Sequence, residues 1–91
     1  MRVAAAIERK LIEALSPLRL VVEDQSHKHM GHAGARPEGE THFRVEIVAT
    51  AFEGQSRLAR QRMVYKVLAD ELAGPVHALA LTALTPTEDG D

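Results

Sequence analysis

The chain has 91 residues, 45% of them hydrophobic and 26% charged, and its formal net charge is −2. This length and composition predict one small folded domain and exclude an intrinsically disordered chain. The net negative charge disfavours a protein whose main task is to bind nucleic-acid backbone, because that affinity comes from many Lys and Arg contacts to phosphate. With no cysteine and no apolar run near the ~20 residues that span a bilayer, the sequence predicts a soluble cytoplasmic domain without disulfides or membrane contact.

The first predicted element is an amphipathic helix that ends at Ser16-Pro17. Its apolar residues recur at every fourth position, with charged residues between them, at Val3, Ile7, Leu11 and Leu15. From Leu18 to Asp24 the apolar residues alternate with others, which predicts a half-buried strand.

A long loop is predicted over residues 26–40, which are rich in Gly and His and have no apolar period. Loops of this length in small domains are more often functional than accidental. Three of the five histidines, His27, His29 and His32, lie within six positions in this loop. Neutral imidazole is the commonest protein metal ligand, so the loop is a candidate metal-binding segment.

The clearest strand signal is the alternation over residues 41–49, in which Phe43, Val45 and Ile47 face inward and His42 faces outward. We expect His42, on the polar face at the start of this strand, to have a structural role.

A second helix is predicted after a turn at residues 52–55, with Ser56 as its N-cap. It runs to about Leu72, and Gly74-Pro75 ends it. Its predicted buried stripe consists of Val64, Val67, Leu68 and Leu72.

The last strand is predicted over residues 76–84 and, because it is apolar on both faces, it is expected to be central or well covered. Residues 87–91 are acidic and are predicted to form a frayed, disordered tail. The order helix, strand, strand, helix, strand predicts a single α+β domain over residues 1–86, with helices on one face of a three-stranded sheet. The two strands joined by the long loop should be antiparallel neighbours, and the last strand should pair with one of them.

Several short segments occur in an order and spacing that point to one family. They are Asp24-Gln25-Ser26 with His29 nearby, Thr41-His42-Phe43-Arg44-Val45, Phe52-Glu53-Gly54, Arg60-Gln61-Arg62-Met63-Val64-Tyr65 and Val76-His77-Ala78-Leu79. On these segments nearly the whole chain resembles the BolA family, whose fold is similar to the second class of KH domain. The resemblance also allows a short extra helical turn before the long helix. One departure is Gln61, which stands where the family usually has the histidine of Arg-His-Arg.

The resemblance implies a partner and a cofactor. BolA proteins pair with monothiol glutaredoxins and share a [2Fe–2S] cluster, for which glutaredoxin supplies a cysteine and glutathione. The BolA side supplies the histidine of a His-Ala-Leu segment and a residue from the loop between the first two strands. His77 matches the first position, and His29 or His32 is the candidate for the second. The isolated chain is expected to be a monomer without cofactor.

Residue patterns alone favour plainer roles for these histidines. His77 would close the edge of the core with one hydrogen bond, and each loop histidine would be a solvated side chain. A zinc site built from His27, His29 and His32 alone is disfavoured, because the loop would have to lose all of its conformational entropy.

A second function implied by the resemblance is transcription regulation through DNA contacts of the helical region. The cations that would contact DNA, or an anionic partner surface, are Arg57, Arg60, Arg62 and Lys66. Their plainer role is a solvated helix face, paired in part with Glu53, Asp70 or Glu71. The Gly-x-x-Gly of residues 31–34 lies between two strands, whereas nucleic-acid-binding KH domains place it between two helices. No catalytic arrangement occurs at a recognisable spacing, so we do not predict an enzyme.

Overall fold

A computed structural model describes residues 2–26 and 40–90 of the chain. The elements, in order, are α1 (Arg2–Leu15), β1 (Arg19–Asp24), β2 (His42–Val48), a short 3-10 turn (Thr50–Phe52), α2 (Arg57–Val67), α3 (Ala69–Ala73), β3 (Ala78–Leu84) and α4 (Pro86–Gly90). This order confirms the predicted α+β class and the extra helical turn before the long helix. Within the described residues, no helix is long and apolar enough to cross a membrane.

The core lies between the helices and one face of the sheet. The apolar stripe of α1 buries Ala4, Ile7 and Leu11, as its four-residue spacing predicts. Opposite it, alternate residues of β2 are buried, among them Phe43 and Val45, which confirms the predicted inward face of this strand.

The sheet has the order β1-β2-β3, so β2 is its central strand. β1 and β2 are antiparallel, with Arg19 opposite Val48. β3 runs parallel to β2, with Ala78 opposite His42 and Leu84 opposite Val48. The predicted antiparallel pairing of the first two strands is therefore confirmed, and the last strand pairs with one of them.

The prediction that the last strand is central or well covered is wrong, because β3 is an edge strand. Only alternate residues, Leu79, Leu81 and Ala83, pack against the core. On the other face Ala78 and Ala80 are exposed. Alanine is apolar but small and does not need to be covered, so an apolar composition on both faces did not mean burial on both.

The second helix is interrupted at Leu68, where the backbone (φ −101°, ψ 21°) leaves the helical region between α2 and α3. The buried Leu68 side chain belongs to the core, in line with the predicted stripe. Ser56 is the N-cap as predicted, because its Oγ accepts a hydrogen bond from the backbone N–H of Ala59 at 3.0 Å. Gly54 in the preceding turn has φ +77°, a conformation that favours glycine.

The acidic C-terminal segment differs from the expected frayed tail, because residues 86–90 form α4. Thr85 and Glu88 cap this helix reciprocally: Thr85 Oγ1 accepts from the Glu88 N–H at 3.2 Å, and Glu88 Oε1 accepts from the Thr85 N–H at 2.7 Å. Asp89 also pairs with Arg19 of β1 at 2.6 Å. These contacts hold α4 against the edge of the sheet where β1 begins and where β2 and β3 end.

Candidate functional site

His77 lies directly before β3 with its side chain exposed and its backbone held. Its N–H donates to the carbonyl of Thr41 at 2.7 Å, and the next residue, Ala78, donates to the same carbonyl at 3.2 Å. Val76, on the other side, is buried in the core. The chain thus presents this imidazole to solvent from a fixed backbone, which a ligand shared between two proteins requires.

His42 stands next to His77. The two rings lie nearly parallel, with centroids 6.3 Å apart and an angle of 23° between their planes. The Nδ1 atom of His42 is 2.8 Å from the hydroxyl of Thr41. This neighbour was missed in the sequence because the contact depends on parallel pairing of β3 with β2, which the residue pattern does not specify. His42 and His77 thus form a pair of imidazoles where β2 and β3 begin, which we call the histidine corner.

Ser26 connects the beginning of the predicted loop to this corner. Its side chain is buried, and Oγ accepts hydrogen bonds from the N–H groups of Thr41 at 2.8 Å and His42 at 3.2 Å. The hydroxyl of Thr41, which is also buried, lies 3.3 Å from the same Oγ. Thr41 therefore bonds to His77 through its carbonyl and to Ser26 through its N–H.

Asp24 binds the first and last residues of the predicted loop, Ser26 and Glu40. One carboxylate oxygen accepts from the N–H of Ser26 at 2.9 Å, and the other accepts from the N–H of Glu40 at 3.1 Å. Glu40 in turn accepts through Oε1 from the N–H of Val3 at 3.0 Å, which ties the end of the loop to the first turn of α1. We call the residues Asp24, Ser26 and Thr41 the loop anchor. His27, His29 and His32 lie between its two ends and outside the described residues, so the choice of loop ligand stays a prediction.

A metal centre complete in itself is not found in the described residues. Across residues 2–26 and 40–90, no three His, Asp or Glu side chains converge in a way that could hold a metal ion. The corner offers imidazole nitrogen from His77, with His42 beside it, and the chain contains no thiolate. This donor set fits a metal group whose remaining ligands come from the loop and from a second molecule.

The four cations proposed to contact DNA or a partner do not form one surface. Arg57, Arg62 and Lys66 are exposed, whereas Arg60 is only 7% exposed. Its guanidinium donates to the backbone carbonyls of Gln55 at 2.9 Å and Ala83 at 3.1 Å.

Arg60 also donates to Glu88 at 2.6 Å, and this bond lowers the pKa of the Glu88 carboxyl to about 2. The assignment of Arg60 to a solvated face is therefore corrected. The pairing expected for this face is corrected too, because Asp70 and Glu71 pair with Lys10 of α1, at 3.7 Å and 2.7 Å.

Comparison with known proteins agrees with this architecture. The family model described as BolA-like protein matches residues 11–88. The chain belongs to the BolA-like protein family. It is 54% identical over 86 residues to BolA-like protein 1 of Homo sapiens, with 94% of this chain and 60% of that protein aligned. The solved BolA domain of SufE1 from Arabidopsis thaliana shares 45% identity and a TM-score of 0.84, with 93% of each chain covered.

A longer relative contains a BolA-like region as one part. SufE-like protein 1, chloroplastic/mitochondrial, of Arabidopsis thaliana is 46% identical over 86 residues, which are 90% of this chain and 23% of that protein. The chain spans less than two thirds of the length of the animal and plant relatives that it matches.

Proposed function

We propose that this BolA-like protein pairs with a monothiol glutaredoxin and supplies imidazole ligands to a [2Fe–2S] cluster shared by the two proteins, in iron–sulfur trafficking or iron regulation. The proposal rests on two hydrogen bonds of the Thr41 backbone. Its carbonyl binds the N–H of His77, and its N–H binds the hydroxyl of Ser26, where the histidine-bearing loop begins. Ser26, the residue that precedes the histidine-bearing segment in the sequence, is therefore bonded to the same residue as His77.

The two imidazole ligands have different structural support. His77 is the fixed ligand, because hydrogen bonds and a buried neighbour hold its backbone on both sides. His29 or His32 is the loop ligand. Since the chain has no cysteine, the thiolates come from the partner cysteine and from glutathione. When bound, the cluster supplies a redox-active iron pair, and replacement of thiolates by imidazoles on one iron raises its reduction potential.

The loop anchor contributes by lowering the cost of ligation. A segment fixed at both ends by Asp24 loses less conformational entropy when one of its histidines is bound than a segment free at one end. The anchor also fixes the starting point of that segment relative to His77. Positioning of this kind is what a ligand set drawn from two proteins needs.

The test is co-expression with a monothiol glutaredoxin, followed by visible absorption and circular dichroism of the purified complex. We expect a spectrum distinct from that of the glutaredoxin homodimer, lost with His77→Ala and altered by only one of His29→Ala and His32→Ala. Glu13→Ala, which removes an exposed side chain of α1, is the control and should leave the spectrum unchanged. If His77→Ala left the spectrum intact in a folded complex, the ligand assignment would be wrong.

The DNA-binding alternative stays a prediction and loses one of its four cations. Arg60 is buried in hydrogen bonds, which leaves Arg57, Arg62 and Lys66. A fluorescence anisotropy titration against promoter DNA across a salt series tests it. Phosphate contacts by three cations predict a steep loss of affinity with added salt. Binding no tighter than that of a protein matched in charge would remove the alternative.

A further inference from the structure

An apolar groove of about 490 Å³ runs between α2 and the outer edge of β3. Its walls include Leu58 and Tyr65 of α2 and Leu79 and Leu81 of β3, with Arg57 at its rim. Leu58 lines this groove and is 55% exposed. His42 and His77 do not line the groove, and Arg57 is its one lining residue with a role proposed above.

The edge of β3 that borders the groove has free main-chain groups. β3 pairs with β2 on one side, and no other described strand pairs with it. The Leu84 carbonyl accepts from Ala49, on the β2 side, whereas the Ala83 carbonyl accepts from Arg60, on the outer side. Because successive residues of a strand direct their N–H and C=O groups to opposite sides, Leu79 and Leu81 offer theirs outward with Ala83.

The helix above the groove carries unpaired positive charge. Arg57, Arg62 and Lys66 are exposed, and none of them lies within ion-pair distance of a carboxylate in the described residues. Arg60 holds Ala83, so the first turn of α2, with Arg57, lies at the C-terminal end of β3. Of the three exposed cations, Arg57 is the one that lines the groove.

We propose that this groove binds an extended acidic peptide segment of a partner protein, which adds to the sheet as a fourth strand along Leu79 and Leu81. The main chain of the peptide bonds to the open edge, and alternate apolar side chains enter the groove beside Leu58 and Tyr65. Carboxylates that flank the added strand in the peptide reach the end of the groove, where Arg57 lies. Because the Ala83 carbonyl already accepts a hydrogen bond from Arg60, the added strand ends before this residue.

Peptide fits this surface better than nucleic acid does. Single-stranded nucleic acid is held by stacking of its bases on aromatic rings, and the groove has one half-buried aromatic side chain, Tyr65, among aliphatic ones. A row of free N–H and C=O groups at regular strand spacing matches a peptide main chain.

The experiment titrates the isolated, 15N-labelled chain with a nonapeptide, monitored by amide NMR shifts and fluorescence anisotropy. Valine and threonine alternate over the five central residues of this peptide, and two glutamates stand at each end. The Leu79 and Leu81 amides should shift, and the peptide should bind at least tenfold tighter than one with lysine in place of glutamate. N-methylation of the peptide amides that face the edge should weaken binding at least tenfold. Added salt should weaken the binding of the acidic peptide only.

Leu58 and Ile12 are similarly exposed aliphatic side chains and give a matched pair of variants. Leu58→Glu should weaken binding at least tenfold, whereas Ile12→Glu, on α1 and 53% exposed, should leave it unchanged. Arg57→Glu should also weaken it, with Arg9→Glu as the control.

The proposal is overturned if millimolar peptide shifts no β3 amide, or if the Leu58 and Ile12 variants bind alike. It is also overturned if a single-stranded oligonucleotide binds these amides more tightly than the peptide, or if the edge pairs with a second copy of the chain. No glutaredoxin is present, so the result is independent of the cluster proposal.

Discussion

The two ends of β3 are built in opposite ways. Where the strand ends, Arg60 is buried and its guanidinium is used by two backbone carbonyls and by Glu88. Where the strand begins, His77 is held through its backbone, and its side chain is exposed. At the first end, which we call the closed end, the polar groups bond to one another. At the second, which we call the open end, the imidazole of His77 faces solvent.

The two ends of β3 also differ in the charge of the side chains around them. At the closed end, Arg19 pairs with Asp89 of α4 and with Glu46 of β2, and the hydrogen bond to Asp89 raises the pKa of the guanidinium. At the open end, neutral hydroxyls of Ser26 and Thr41 connect the loop to the histidine corner. A charged network that completes itself stabilises the fold, whereas the open end leaves the His77 imidazole exposed, as the proposed cluster requires.

The largest effect is expected from Arg60→Ala at the closed end. The change leaves the Ala83 carbonyl without its donor and Glu88 without its partner, so the free energy of unfolding should fall by about 2–4 kcal/mol. Arg62→Ala, at an exposed position of the same helix, should change it by less than about 0.5 kcal/mol. Urea unfolding measures both. Equal effects would contradict the assignment of Arg60 to the core.

A smaller loss is expected from Ser26→Ala at the open end, about 1–3 kcal/mol, because the Thr41 N–H loses its acceptor inside the protein. This variant should also change the spectrum of the glutaredoxin complex. Ser56→Ala is the control: loss of the helix cap costs about 1 kcal/mol and should leave the spectrum unchanged. An unchanged spectrum for Ser26→Ala would show that the loop anchor does not position the ligands.

The closed end should respond to acid in a defined range. The pKa of Glu88 falls from 4.5 to about 2 through the bond to Arg60, so its ionised form stabilises the fold above pH 4.5, and this contribution is lost as the pH falls towards 2. The difference in unfolding free energy between the wild type and Glu88→Gln should therefore be constant at neutral pH and shrink between pH 4.5 and 2. A difference independent of pH across this range would contradict the ion pair.

The smallest effect on stability is expected from His42→Ala, less than about 1 kcal/mol, because the side chain is half-buried at the sheet surface. The cluster should still form, with its circular dichroism bands shifted by the loss of the ring next to His77. Complete loss of the cluster, as expected for His77→Ala, would make His42 itself a ligand.

Periodicity predicted most of the architecture. The four-residue spacing of α1 and the alternation of β2 identify the buried faces of both elements, because burial acts on every member of such a pattern. Two further features have a local signal in the sequence. Thr85 and Glu88 have the spacing of a capping box, and Arg60 lies four residues before Val64 in the buried stripe of α2.

Other features depend on tertiary pairing and have no local signal. The exposure of Ala80 follows from the edge position of β3, and the contact of His42 with His77 follows from the parallel register of β2 and β3. Neither alanine nor an outward histidine specifies its neighbour across strands. The role of His77 as a ligand, which the family resemblance implies, therefore stays a prediction, and the imidazole of His42 beside it has no signal in the sequence.

The central claim is that imidazole nitrogen of this chain binds the cluster iron. The most direct test labels only this chain with 15N-histidine, pairs it with unlabelled monothiol glutaredoxin, and records pulsed electron paramagnetic resonance of the reduced complex. We predict a 15N coupling typical of a directly bound nitrogen, which His77→Ala removes. A reduced cluster without any 15N coupling from this chain would contradict the account.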